Sequence, residues 1–220
     1  MKLDDLKTGR SAEMTGNKSR ERAHLHGSRH REDPLPLLKR IGILQGSAVA
    51  DIGCGDGHFT IPIASMVSES GTVYAVDSNE YALSYLREKI TNLGNGETVI
   101  KVVNADIMDS GIPERSMDLV FLANVFHDID DKGEFLKEAK RMLRPSGRIV
   151  DLDWTKTETI FGPPYSMRVE ETEVESLFEE FGFELADHFA PDPYHYCFVF
   201  KSQDSDSDII GNKRVKEDVN

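Results

Sequence analysis

Cysteine is nearly absent: Cys54 and Cys197 are the only two in 220 residues. They are too few for a disulfide framework and too far apart in sequence for a CxxC site. Both are expected to remain thiols in a reducing compartment. Long apolar runs are missing too, with nothing near the ~18 residues of a membrane span. The N-terminus is too polar for a secretory signal, so a soluble, cytoplasmic protein is expected. Positive charge is in deficit. With 26 Lys and Arg against 39 Asp and Glu, the formal charge is −13 at pH 7. That argues against a general affinity for phosphate backbones, hence against nucleic acid as a partner. Metal-ligand spacing is also lacking. His24, His26 and His30 form an HxHxxxH pattern without a cysteine or acidic partner at convincing spacing, so no metal is expected.

What remains is enough for one ordinary domain, which at this length buries roughly 70% of its unfolded surface without staples. No internal repeat is visible. Residues 1–32 are polar and weakly basic, which predicts a mobile arm or a lid that orders on binding. Residues 202–220 have the composition of a disordered acidic tail. The folded part is therefore expected over residues 33–201.

Within that span apolar runs alternate with helical patterns. Residues 47–52, 71–77, 98–106, 116–125 and 148–154 read as short buried strands. Between them, Ala82, Leu86, Ile90 and Leu93 fall on one face of a helix over 79–93. Phe135, Leu136, Ala139, Met142 and Leu143 do so over 131–143, where "RPSG" supplies the stop. Such alternation is the signature of a parallel sheet covered by helices on both faces. A further helix over 170–181 carries Val174, Leu177, Phe178 and Phe181. Two strand-like runs then follow with only Pro191-Asp192-Pro193 between them. A link that short cannot cross over to a parallel neighbour, so it predicts an antiparallel hairpin.

The first strand ends in "VADIGCGDGHFT", residues 49–60. Glycines there let the chain turn sharply and let a ligand approach without meeting a Cβ, at the sheet edge where such folds bind. A tight turn with no ligand would use the same residues. Two further acids stand at the ends of the next strands. Asp77, before Ser78, is placed to accept from both ribose hydroxyls. Asn104-Ala105-Asp106-Ile107 offers a carboxylate and a backbone N–H to a base edge. Together they outline a nucleoside site. The dinucleotide pattern G-x-G-x-x-G is not met, because His58 follows Gly57. Asp51 would also repel a pyrophosphate, whereas it suits an ammonium group. A nucleoside joined to an amino acid, S-adenosylmethionine, satisfies both facts.

These residues, with "MDLVFLANVFHDI" and "LRPSGRIVDLDW", resemble the class I methyltransferases, most closely the small UbiE-like type of ubiquinone and menaquinone biosynthesis. The resemblance covers residues 34–201. It implies an α/β, Rossmann-like doubly wound sheet of seven strands, mostly parallel with the last antiparallel. It also implies S-adenosylmethionine as cofactor and S-adenosylhomocysteine as product. By position Asp51, Gly53, Cys54, Gly55 and Gly57 are expected at the methionine end. Asp77 and Ser78 are expected at the ribose, Ala105, Asp106 and Ile107 at the adenine, and Asn124 near the sulfonium.

The expected function is methyl transfer to a small-molecule acceptor by in-line displacement, in a monomer or small homo-oligomer. His127, beside Asp128, is the candidate base, although the same pair would serve to organise its loop. Tyr165 and Arg168 in "GPPYSMR" are candidate substrate contacts, although two prolines also make a rigid turn. Amide and base N-methyltransferases carry NPPY directly after strand four, where this chain reads "ANVFHD". Arsenite methylation, which rests on a set of cysteines, is not expected of a chain with two. A non-catalytic cofactor-binding protein and a nucleotide-dependent oxidoreductase remain the alternatives.

Overall fold

The computed structural model describes residues 33–93 and 99–203. The expected arm over 1–32, with its three histidines, lies outside the described residues, as does the tail beyond residue 203. The predicted strands form as β1 (Ala48–Ile52), β2 (Thr72–Asp77), β3 (Ile100–Asn104), β4 (Met117–Ala123) and β5 (Leu143–Trp154). Helix α1 (Leu35–Ile41) precedes β1; α2 (Thr60–Val67), α3 (Glu80–Thr91) and α4 (Lys132–Met142) lie between the strands. After β5 come α5 (Glu171–Glu180), β6 (Phe183–Asp192) and β7 (His195–Ser202).

The seven strands make one sheet in the order β3-β2-β1-β4-β5-β7-β6. β1 to β5 are mutually parallel. β7 alone is reversed, antiparallel to both β5 and β6. The expected fold class and hairpin are therefore both present. The strand order reverses between β1 and β4, and a crevice outside their carboxyl ends is the binding position of such sheets. Each face is apolar. Phe135, Leu136, Ala139, Val174 and Phe178 bring α4 and α5 onto one side. Leu38, Ile63, Leu83 and Leu86 bring α1, α2 and α3 onto the other. Burying each of these Leu, Ile, Val and Phe side chains contributes roughly 1.5–3 kcal/mol.

Three expectations need correction. On α3 the buried stripe is Leu83, Leu86 and Ile90, because the helix is capped by the Asn79 side chain and stops at Thr91. Ala82 is only half-buried, and Leu93, past the stop, is 49% exposed. The "RPSG" turn lies inside the β5 element instead of before it. Pairing with β4 jumps from Met117↔Leu143 to Leu119↔Arg148, and Ser146 sits at φ 61°. Ser202 ends β7 and is buried, so the ordered chain passes the predicted boundary.

Candidate active site

The end of β1 carries Asp51, only 2% exposed, with its Oδ2 accepting from the Thr60 hydroxyl at 2.5 Å. Burial is the main force on this carboxyl; the Thr60 hydrogen bond opposes it and the Asp77 charge adds to it. The result is a pKa pushed up to about 7. Such a group gains most from a cation. The loop that follows is tied to β2: the N–H groups of Gly53 and Cys54 donate to Val76 O at 2.8 and 3.1 Å. A Cβ on Gly55 would meet nothing within 4 Å, so its backbone faces open space. A Cβ on Gly57 would lie 2.3 Å from Leu86 Cδ1. Gly57 therefore provides the close helix contact that the dinucleotide pattern assigns one position later, which is why His58 is tolerated. The Cys54 thiol is buried, and that burial with the Asp51 and Asp77 charges pushes its pKa up, leaving it inert.

Asp77, at the end of β2, is bonded on both oxygens. Oδ2 accepts from Gly55 N–H and Oδ1 from Asn79 N–H, each at 2.8 Å. The second strand thus holds the first strand's loop in shape. Ser78 is exposed beside it. Past β3, Ala105 N–H donates to Asp77 O at 3.3 Å, and exposed Asp106 forms a local turn by accepting from Met108 N–H at 2.9 Å. Ala105 and Ile107 are half-buried against the apolar layer. Asn124 leaves β4 at φ 58°, exposed, with its N–H donating to Leu152 O at 2.8 Å. The parallel strands β1 to β4 bring all the expected cofactor residues to one edge.

His127 sits in a short turn, Phe126–Asp128, pinned by the fully buried Phe126. Its carboxylate partner is not mainly Asp128, whose Oδ2 is 3.7 Å from Nε2. Asp153 of β5 grips it twice: His127 N–H donates to Oδ2 at 2.9 Å, and Nδ1 lies 2.7 Å from Oδ1. Trp154 N–H donates to the same Oδ1 at 2.7 Å. Burial pulls the imidazole pKa down, but the hydrogen bond and charge of Asp153, with Asp128, outweigh it and the pKa is raised. With Nδ1–H given to Asp153, the ring's lone pair lies on Nε2, the arrangement of an oriented base.

Sequence reasoning missed Asp153 and its neighbour Asp151. Both are fully buried on one face of β5, two residues apart. Among the described residues Asp151 has one donor, the Tyr196 hydroxyl at 3.2 Å, and its Oδ1 has no hydrogen-bond partner. Burial, then the Asp153 charge, pushes its pKa well up. The signal was in "DLDW": two carboxylates at strand spacing in a run that reads as buried. Thr60 was missed likewise, although it opens the helix after the glycine loop.

The substrate contacts separate. Tyr165 is 47% exposed. Arg168 is 2% exposed, and all five guanidinium N–H positions are engaged within its own loop. They reach Pro163 O, Thr155 O, Thr157 O, Phe161 O and Thr159 Oγ1. No donor is left for a ligand. The expectation that Arg168 touches substrate is corrected: it clamps the loop. A surface depression of ≈ 580 Å³ is lined by Glu170, Thr172, Glu173, Ser176, Leu177 and Glu180, none of them an expected site residue. Among the described residues no cluster of three metal-ligating side chains occurs.

Residues 50–151 match the methyltransferase domain family. A demethylmenaquinone methyltransferase of Staphylococcus aureus is 29% identical over 132 residues, covering 60% of this chain and 53% of that protein. The chain thus spans about half the length of the curated relatives it matches. Among solved structures, an S-adenosylmethionine-dependent methyltransferase from Aquifex aeolicus is similar with TM-score 0.72 and 30% identity, covering 77% of this chain and 89% of that one. A type 11 methyltransferase from Sulfolobus solfataricus, assigned as putative, gives TM-score 0.66 and 31% identity over 80% and 95% of the two chains.

Proposed function

Because the chain belongs to the class I S-adenosylmethionine-dependent methyltransferases, we propose that it methylates a small-molecule acceptor whose proton is taken by His127. When bound, the cofactor supplies a methyl group on a sulfonium, an electrophile already activated. The residues fit such a group. Asp51 is a buried carboxyl on which no cation acts among the described residues, and Gly55 opens the backbone beside it. Asp51 receives the ammonium, the backbone of Gly53 to Gly57 the rest of the methionine end, and Asp77 with Ser78 the ribose. Ala105, Asp106 and Ile107 border the base, and Asn124 the reacting end.

The enzyme's own work is then alignment and proton removal. His127 Nε2 takes the acceptor's proton while Asp153 fixes the ring and stabilises the resulting cation. The observation that carries this reading is the double grip of Asp153 on His127, at 2.7 and 2.9 Å, at the same sheet edge as the glycine loop. A loop-organising role would need only the backbone contact. Demethylmenaquinone, named for a relative, is the first acceptor to try.

The test pairs calorimetric binding of S-adenosylhomocysteine with methyl transfer to a demethylated naphthoquinol. Expected are binding to the unaltered chain and to His127→Gln alike, and turnover only in the former. Equal turnover in both would remove His127 from the mechanism.

A further inference from the structure

The loop between β3 and β4 is anchored at two points, and the anchors differ in kind. It starts level with Asp77: Asn104 pairs with Asp77 in the sheet, and Ala105 N–H donates to Asp77 O at 3.3 Å. Asp77 in turn holds Gly55 through its carboxylate. Asp106 then makes a turn, accepting from Met108 N–H through Oδ1 at 2.9 Å and from Asp109 N–H through its carbonyl at 3.1 Å.

The far anchor is a side chain of α4. Ser110 is fully buried, and both its N–H and its hydroxyl donate to Glu138 Oε1, at 3.3 and 2.7 Å. Arg141, three residues on, donates to Oε1 through Nη2 at 2.8 Å and to Oε2 through Nε at 2.6 Å. The same Nη2 reaches Ile112 O at 2.7 Å, and Ile112 N–H donates back to the Ser110 hydroxyl at 3.3 Å. Ser110, Glu138, Arg141 and Ile112 thus close a ring of hydrogen bonds. Burial opposes the charge on Glu138, but Arg141 and Ser110 outweigh it and hold its carboxyl below the usual range.

Stability alone does not call for such a device, because apolar side chains of similar volume often hold a core as well as a buried ion pair does. What directional bonds add is register. Only residues 106–109 lie between the two anchors, so a shift at Ser110 reaches Asp106 and Ile107 through one short span. We infer that Glu138 and Arg141 are positioning residues for the base of the cofactor, fixing through Ser110 where Asp106 and Ile107 stand. The inference rests on the cofactor reading above, which puts those two residues at the adenine. Adenine presents a donor at N6 and an acceptor at N1, whereas hypoxanthine presents an acceptor and a donor there. A carboxylate beside a backbone N–H matches the first and is left unpaired against the second. That discrimination requires both groups to stay in place within about 0.5 Å.

The test compares the calorimetric affinities of the full chain for S-adenosylhomocysteine and S-inosylhomocysteine. The unaltered chain is expected to prefer the adenine compound by about 100-fold or more. Ser110→Ala and Glu138→Gln should each reduce that preference by about tenfold, mainly through weaker binding of the adenine compound. Ser110→Ala removes a single hydroxyl, so it carries the test should Glu138→Gln fail to fold. Leu38→Ala, in the apolar layer on the other face of the sheet, lowers stability without touching the clamp and should leave the preference unchanged. An unchanged preference in Ser110→Ala would overturn the proposal, as would an equal loss in Leu38→Ala or no preference in the unaltered chain. Those results leave S-adenosylhomocysteine binding to the unaltered chain intact. Failure of that binding would instead strike the cofactor reading, and this inference with it, so the two failures are distinguishable.

Discussion

From β1 to β3 the carboxyl edge is assembled from main chain: glycine N–H groups, strand-end carbonyls, and a carboxylate, Asp77, that accepts from two backbone donors. From β4 to β7 it is assembled from buried charge: His127 on Asp153, Tyr196 on Asp151, Arg168 inside its loop. The first half offers a shape that rests on its glycines and on the Asp51 and Asp77 carboxylates. The second half depends on particular side chains whose partners cannot be withdrawn without leaving a polar group stranded in an apolar layer. Substitutions on the two sides should therefore fail differently, one in cofactor affinity and the other in turnover and stability.

The sharpest break is expected at His127. His127→Gln should lower turnover by about 10²–10⁴ with S-adenosylhomocysteine affinity intact, the usual size of a lost general base. Next comes a contrast within β5. Asp153→Asn places an NH2 group against donors already aimed at that site, so it should cost about 3 kcal/mol in chemical denaturation. Asp151→Asn replaces an acid with a single donor and an orphan oxygen. It should cost under about 1 kcal/mol at neutral pH. Equal losses at the two positions would erase the distinction.

On the cofactor side, Asp77→Ala should weaken S-adenosylhomocysteine binding by about 30-fold, roughly 2 kcal/mol, while stability falls less. The smallest effect is a pH dependence. Asp51 titrates at about 7 without the cofactor, and an ammonium requires its anion. Affinity should then rise by about tenfold per pH unit up to 7 and level off above it. In Asp51→Asn that slope should vanish. The sign for the empty protein is opposite. The raised pKa makes a contribution to folding that is fully present below 3.8 and lost as the pH climbs to about 7.

Periodicity located every strand of the parallel half and the reversed hairpin, because two-residue and 3.6-residue patterns are local. Glycine spacing and strand-end acids picked out residues that the parallel strands bring to one edge, for the same reason. Asp153 escaped because its partner is 26 residues away in sequence, and only sheet order brings β5 beside the β4 turn. Adjacent Asp128 looked like the partner for want of that geometry. Arg168 was misread because a charged residue in a loop is usually solvated, and nothing local shows five carbonyl and hydroxyl oxygens curling around it. Leu93 failed for a simpler cause: the helix stopped two residues early.

The reversed strand also sets an order of events during synthesis. β6 leaves the ribosome before β7, yet among the described residues β7 is its only neighbour in the sheet. Until His195–Ser202 emerges, β6 has no strand to pair with and the outer edge of β5 stays unpaired, with Asp151 still waiting for Tyr196. The half from β1 to β3 can close around its local contacts early, whereas the half that carries His127 and Asp153 is completed last. A nascent chain stalled between those points would present an open, aggregation-prone strand to its surroundings.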